Sequence, residues 1–170
     1  DKFSMSAWVA PQAADGTLLS KMTPVEEGAG YSIHLRDGRI QLNLVKRWLD
    51  DALRVETRDP IPMHKWTHVA VTYDGSRVAD GIRIFIDGIS APLEVRLDRL
   101  NQSFAVATEP LRIGGGEKNY RGQIDDVRLY ATNLSTAEVE LLAVRRTITD
   151  ILKTSPENWS KPERDKLTRF

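Results

Sequence analysis

Apolar and polar residues alternate with a period of two along most of the first 130 positions. Phe3, Met5, Ala7 and Val9 interleave with Ser4, Ser6 and Trp8, the pattern of a strand with one face buried. Residues 18–22 form a second short strand after the break from Pro11 to Gly16. Two alternating runs, 31–35 and 39–45, flank Asp37 and Gly38. Asp-Gly at that place predicts a type I′ hairpin, because both residues tolerate positive φ. Ile33 and Leu35 then share a face, with Ile40, Leu42 and Leu44 opposite them. Residues 47–52 read as a loop or short turn before a strand over 53–57. Pro60 and Pro62 interrupt the next stretch. Residues 66–73 form a strong strand, with His68, Ala70 and Thr72 on one face and Thr67, Val69, Val71 and Tyr73 on the other. Asp87-Gly88 marks a second Asp-Gly hairpin between 82–86 and 89–93. Many short strands and two such hairpins predict an antiparallel sandwich or barrel.

The period changes after residue 134. Ser135 and Glu138 form a capping box, in which each satisfies a free amide of the other's end. Leu141, Leu142, Val144, Ile148, Ile151 and Leu152 follow at helical spacing. Ser160 caps a last helix with Pro162 in its first turn.

Bulk properties narrow the reading further. A chain of 170 residues suits one domain and can bury a core without covalent staples. Lys plus Arg and Asp plus Glu number 24 each, which argues against nucleic acid or another polyanion held by net charge. There is no cysteine, so disulfides, thiolate metal sites and haem attachment are excluded. No apolar run is long enough to insert in a membrane. The chain starts directly in strand-like alternation, without Met, as expected of a domain cut from a longer protein.

Several segments together carry a family resemblance. They are 3–9, 18–21, 31–44, Trp66-Thr-His-Val-Ala-Val-Thr-Tyr-Asp-Gly75, 82–88, Leu111-Arg-Ile-Gly-Gly-Gly116 and 122–134. In this order and spacing the chain resembles the laminin G-like branch of the concanavalin A-like lectin/glucanase superfamily. The resemblance implies an all-β, jelly-roll β-sandwich of two antiparallel sheets over residues 1–143. Residues 144–170 would be a helical extension leading to a neighbouring domain. Residues 48–57, 80–88 and 151–170 are similar to the version embedded in large planctomycete-type cytochrome c-associated proteins. That context implies an extracellular or periplasmic location and contacts with neighbouring domains of the same chain.

Many folds of this kind are glycosidases, which need two carboxylates facing the scissile bond, ~5 Å apart or up to ~9.5 Å. The sandwich glucanases that the chain resembles carry Glu-x-Asp-x-x-Glu. Here the corresponding stretch is Gln123-Ile-Asp-Asp-Val-Arg128. Gln123 cannot be a nucleophile and Arg128 cannot be an acid. Asp125 and Asp126 alternate to opposite faces of a regular strand. The expectation is therefore a chain that is not an enzyme, with an unusual glycoside hydrolase as an alternative. His64 and His68 would stand roughly 13 Å apart on a strand, too far to share a metal. Gly114 to Gly116 lacks the helix and lysine of a phosphate loop and reads as a tight turn.

Carbohydrate recognition needs an aromatic face and planar polar groups for hydroxyls. Trp48 with Arg47, Asp50 and Asp51 is the leading constellation, and Tyr120 with Glu117, Asn119, Lys118 and Arg121 is the second. Trp8 and Trp66 are expected in the core, and Trp159 is expected to dock the tail on the sandwich. The resemblance also makes calcium a candidate cofactor, held by loop oxygens among Asp15, Asp50, Asp51, Asp74, Asp80, Asp87, Glu117 and Asn119. Lys118 departs from the acidic pattern of such sites. The expected function is a non-catalytic module that binds a polysaccharide or other glycan. The alternative is a scaffold that packs on neighbouring domains and takes no free ligand.

Overall fold

The computed structural model describes residues 2–168. Among them, strands β1 (Phe3–Pro11), β6 (Thr67–Tyr73), β7 (Ile82–Ile86), β8 (Ile89–Ser90) and β11 (Gly122–Tyr130) form one sheet in the order β11-β1-β6-β7-β8. The second sheet contains β2 (Gly16–Met22), β3 (Gly30–Arg36), β4 (Arg39–Arg47), β5 (Asp51–Thr57), β9 (Leu93–Asp98) and β10 (Arg112–Ile113). Its order is β10-β2-β3-β4-β5-β9. Neighbours within both sheets are antiparallel. The jelly-roll sandwich expected from the sequence is the fold observed.

Alternation puts one face of each sheet against the other. Ile40, Leu42, Leu44, Leu53, Val55 and Ile84 have no exposed surface. Each such side chain contributes about 1.5–3 kcal/mol relative to exposure. At one end Phe3, Tyr31, Tyr73 and Phe104 pack as a ring cluster, with centroids 5.5–6.4 Å apart. Both Asp-Gly hairpins form as predicted. Asp37 and Gly38 have φ of 49° and 75°, and Asp87 and Gly88 have φ of 51° and 82°, the type I′ signature. Residues 48–50 close a further hairpin between β4 and β5, where the sequence suggested a loop or short turn.

The helical end departs from a continuous reading of its spacing. The Ser135 capping box starts α1 (Thr136–Leu142), and Val139 seals against Ala70 and Phe85 on the outer face of the five-stranded sheet. The helix stops there. Thr147 accepts from the Asp150 amide and opens a separate helix, α2 (Ile148–Leu152), because a Thr cap offers the backbone an alternative to helix continuation. Ser160 and Glu163 form a second reciprocal cap for α3 (Lys161–Thr168). The Trp159 indole N–H donates within the tail, to the carbonyls of Ile151 and Thr154, both at 3.0 Å. No helix among the described residues is long and apolar enough to cross a membrane.

Candidate functional site

The outer face of the six-stranded sheet carries two rows of polar side chains. Register places Ser20, Ser32, Asn43 and Arg54 side by side across β2 to β5. The next row is Thr17, His34, Gln41 and Glu56. Their in-sequence neighbours Ile33, Leu42, Leu44 and Val55 point into the core. An outer face is normally wet, yet seven of these eight polar residues are buried, Asn43 to 2% and Gln41 to 3% exposure. The turn carrying Trp48, the loop carrying Glu26, and the loop of Glu117 and Lys118 rise around this face. They enclose a cleft of about 250 Å³ that also reaches Asp15, His34 and Asn43.

Most of the polar groups satisfy one another. Thr17 Oγ1 lies 3.2 Å from His34 Nδ1, and Ser20 Oγ donates to the Gly115 carbonyl at 2.7 Å. Gln41 Nε2 donates to Glu56 Oε2 at 2.9 Å, and Arg96 donates to Glu56 Oε1 at 2.6 Å. Burial works to raise the Glu56 carboxyl, but the Arg96 and Gln41 bonds outweigh it and hold it below its ordinary value. Burial and the Arg36 charge lower His34 to about 4, so the ring is neutral at pH 7. Burial raises Glu117, whose Oε2 stands 4.0 Å from His34 Nε2. Two buried atoms are left over. Asn43 Oδ1 and Arg54 Nε have no hydrogen-bond partner among the described residues. The Arg54 guanidinium lies 4.1 Å from the centroid of the Trp48 ring and makes no ion pair among the described residues. One face of Trp48 is therefore occupied by a cation, and the pair presents an aromatic edge and a guanidinium together.

The sequence-derived candidates fall in different places. Trp48 and Glu117 both line the cleft. Arg47 and Asp50 form an exposed 2.8 Å ion pair within the turn. Asp51 is buried, and its Oδ1 accepts from the amides of Asn101 and Gln102 at 2.7 and 3.2 Å. Tyr120 packs against the core and its hydroxyl donates to the Gln123 carbonyl at 3.5 Å. Desolvation pushes that phenol up to about 12. Asn119 is exposed and bridges Thr17 through the backbone. The structure brings together residues that the sequence reading had passed over: His34, Gln41, Asn43, Arg54 and Glu56. Their signal was the polar half of the alternation in β3 to β5, which by itself is indistinguishable from a solvated face.

Of the candidate calcium ligands, Asp15 and Glu117 line the cleft together. Among the described residues no three carboxylate or imidazole groups stand close enough to hold a metal ion. Asp74 Oδ1 accepts from the Ser76 amide and Asp87 Oδ1 from the His68 amide, both at 2.8 Å, so each serves its own turn or strand end.

Two expectations for the five-stranded sheet need correction. Trp8 and Trp66 are only half-buried and line a groove on its outer face. Asp125 and Asp126 do not diverge, because β11 carries a bulge there. Ser6 pairs with Arg128 and Trp8 with Asp125, leaving one extra residue on β11, and Asp126 has φ of 49°. Both carboxylates line the same groove.

A family model for the concanavalin A-like lectin/glucanases superfamily matches residues 1–140. The chain belongs to this superfamily. Solved structures share its fold at low identity. The CBM40 module of the Ruminococcus gnavus IT-sialidase, bound to α2,3-sialyllactose, aligns with a TM-score of 0.65 at 12% identity, over 84% of this chain and 83% of its own. A candidate carbohydrate binding protein from Bacteroides ovatus aligns at 0.60 and 16% identity, over 82% of this chain and 40% of its own. The receptor binding domain of botulinum neurotoxin type G aligns at 0.53 and 22% identity, over 84% of this chain and 38% of its own. This chain thus spans well under half the length of the last two. Among curated proteins none matches at a significant level.

Proposed function

We propose that the chain is a non-catalytic module that binds a glycan on the outer face of its six-stranded sheet. The observation that carries this reading is the pair of buried polar rows, with Asn43 Oδ1 and Arg54 Nε left without hydrogen-bond partners among the described residues. Buried polar atoms are ordinarily paired, and a face built of amides, hydroxyls, a neutral imidazole and a guanidinium matches the mixed donors and acceptors of a sugar. Similarity to a sialidase's carbohydrate-binding module and to a toxin's receptor binding domain supports recognition over catalysis. The module would work within a larger extracellular or periplasmic protein, with residues 144–170 leading to its neighbour. A second reading, a docking domain for other parts of that protein, draws on the exposed Ile89 and Leu152 near the tail.

A glycan and polysaccharide array, run with calcium and again with chelator, tests the proposal. Expected is binding in both buffers that is lost in Arg54→Gln and Trp48→Ala and kept in Asp50→Ala. No binding across plant, algal and bacterial glycans would reject it and favour the docking domain.

A further inference from the structure

The groove on the opposite sheet is larger than the cleft, about 860 Å³, and has a composition of its own. Its floor carries Trp8 and Trp66. The Arg145 guanidinium lies 5.7 and 5.9 Å from their ring centroids, so the two indoles border one space. Beside Trp8, at 5.3 Å between centroids, sits His68. It is 98% buried and neutral, and its Nδ1 has no partner among the described residues. The β11 bulge turns both Asp125 and Asp126 toward this space.

The free valences define the ligand. Arg128 is taken up by Asp126 at 2.8 Å, and Lys166 donates to the Val144 and Arg146 carbonyls at 2.9 and 2.8 Å. Asp125 spends one oxygen on the Asp126 amide. Among the described residues, what remains is one carboxylate oxygen on each Asp, the Arg145 donors and the parts of the two indole rings that Arg145 leaves uncovered. Acceptors and donors in balance suit hydroxyl groups, and indole faces suit the C–H face of a pyranose. We infer that this groove is a second binding site, for a neutral sugar chain, on the sheet opposite the polar cleft. Two sites on opposite faces would let one module hold two strands of a polysaccharide, or one strand that wraps round it, with the gain in avidity that linkage gives.

The test is fluorine NMR of the chain labelled with 5-fluorotryptophan. Its four tryptophans give four signals, assigned by single Trp→Phe variants. Neutral gluco-, xylo-, manno- and N-acetylglucosamine oligosaccharides are titrated one at a time. Expected is a joint, saturable shift of the Trp8 and Trp66 signals with at least one of them. Asp125→Ala should weaken that response about tenfold, from one lost charged hydrogen bond, and leave the Trp48 signal as it was. The unshifted Trp48 and Trp159 signals confirm that the variant folds. Trp8 and Trp66 signals that stay fixed while Trp48 moves would overturn the second site and keep the first. Four unmoved signals would overturn the second site and leave the first to the glycan array. Linear drift with every sugar would also refute the inference, as a solvent effect.

Discussion

Replacing Asn43 by leucine separates a binding role from a structural one, because the two predict opposite signs. The side chain is 2% exposed, its Oδ1 has no hydrogen-bond partner among the described residues, and its Nδ2 reaches Ser32 Oγ only at 3.4 Å. An unsatisfied buried carbonyl costs about 1–3 kcal/mol, while a bond this long contributes well under the usual ~1 kcal/mol. Leucine keeps the branched skeleton, its bulkier methyls can extend into the cleft that Asn43 lines, and it removes the orphan acceptor. The Ser32 hydroxyl loses its amide partner, which offsets a part of the gain. The net expectation is a stabilisation of about 1–2 kcal/mol, or roughly 3–6 °C in melting temperature for a domain of this size. Urea and thermal unfolding followed by tryptophan fluorescence would measure it. The same variant should lose at least tenfold in affinity for whatever glycan the array identifies. Higher stability with lost binding is the mark of a group kept for its ligand. Destabilisation by more than about 1 kcal/mol, or unchanged binding in a stabilised protein, would refute the reasoning.

The remaining expectations concern residues with other roles. Asp51→Ala should destabilise by about 2–4 kcal/mol, since it strips a buried acceptor from the Asn101 and Gln102 amides; urea unfolding checks this, and glycan affinity should stay within twofold. His34 and His68 are both held at about 4 by burial, against 6.5 when unfolded. The unfolded chain therefore takes up protons first as pH falls, and stability should drop between pH 6.5 and 4 by on the order of 3 kcal/mol per histidine. Denaturant midpoints across that range, compared with those of His34→Gln, would show the slope roughly halved in the variant. Chelator should leave the melting temperature unchanged within about 1 °C, because no three acidic or imidazole groups among the described residues stand close enough to hold a metal ion; a larger fall would reveal a resident metal.

Much of the architecture was legible in the chain because two local rules sufficed. Alternation separated Val69, Val71 and Tyr73 from His68, Ala70 and Thr72, and the structure sends the first set to the core and Ala70 to the α1 seam. Asp-Gly fixed two turns through backbone sterics alone. Structure and local rule part where the rule meets an exception that only the fold reveals. A single extra residue in β11 inverted the facing of Asp126, and no composition signal announces a bulge that lacks glycine. Thr147 cut a helical pattern in two because a cap competes with propagation, and spacing counts apolar residues without weighing caps.

The candidate site was half legible for a deeper reason. Trp48 and Glu117 stand in loops, where recognition residues concentrate. The wider polar surface lies on strands β3 to β5, where the residues between core positions look like ordinary solvent-facing ones. What distinguishes Asn43 from a solvated asparagine is the roof above it, made by a turn, the Glu26 loop and the Glu117 loop. Those three segments lie up to 91 residues apart in the chain, from 26 to 117. Burial of a polar row is therefore a tertiary fact, and the free energy it costs is local while its cause is not. Loops of this kind vary readily without disturbing the sheet beneath. Hence the two rows, rather than Trp48 alone, should set whether this face binds, and the loops around them should set what it binds. Exchanging the Glu117 and Lys118 side chains ought to change which sugar is preferred with little change in stability, whereas Gln41→Leu ought to weaken binding of every sugar alike.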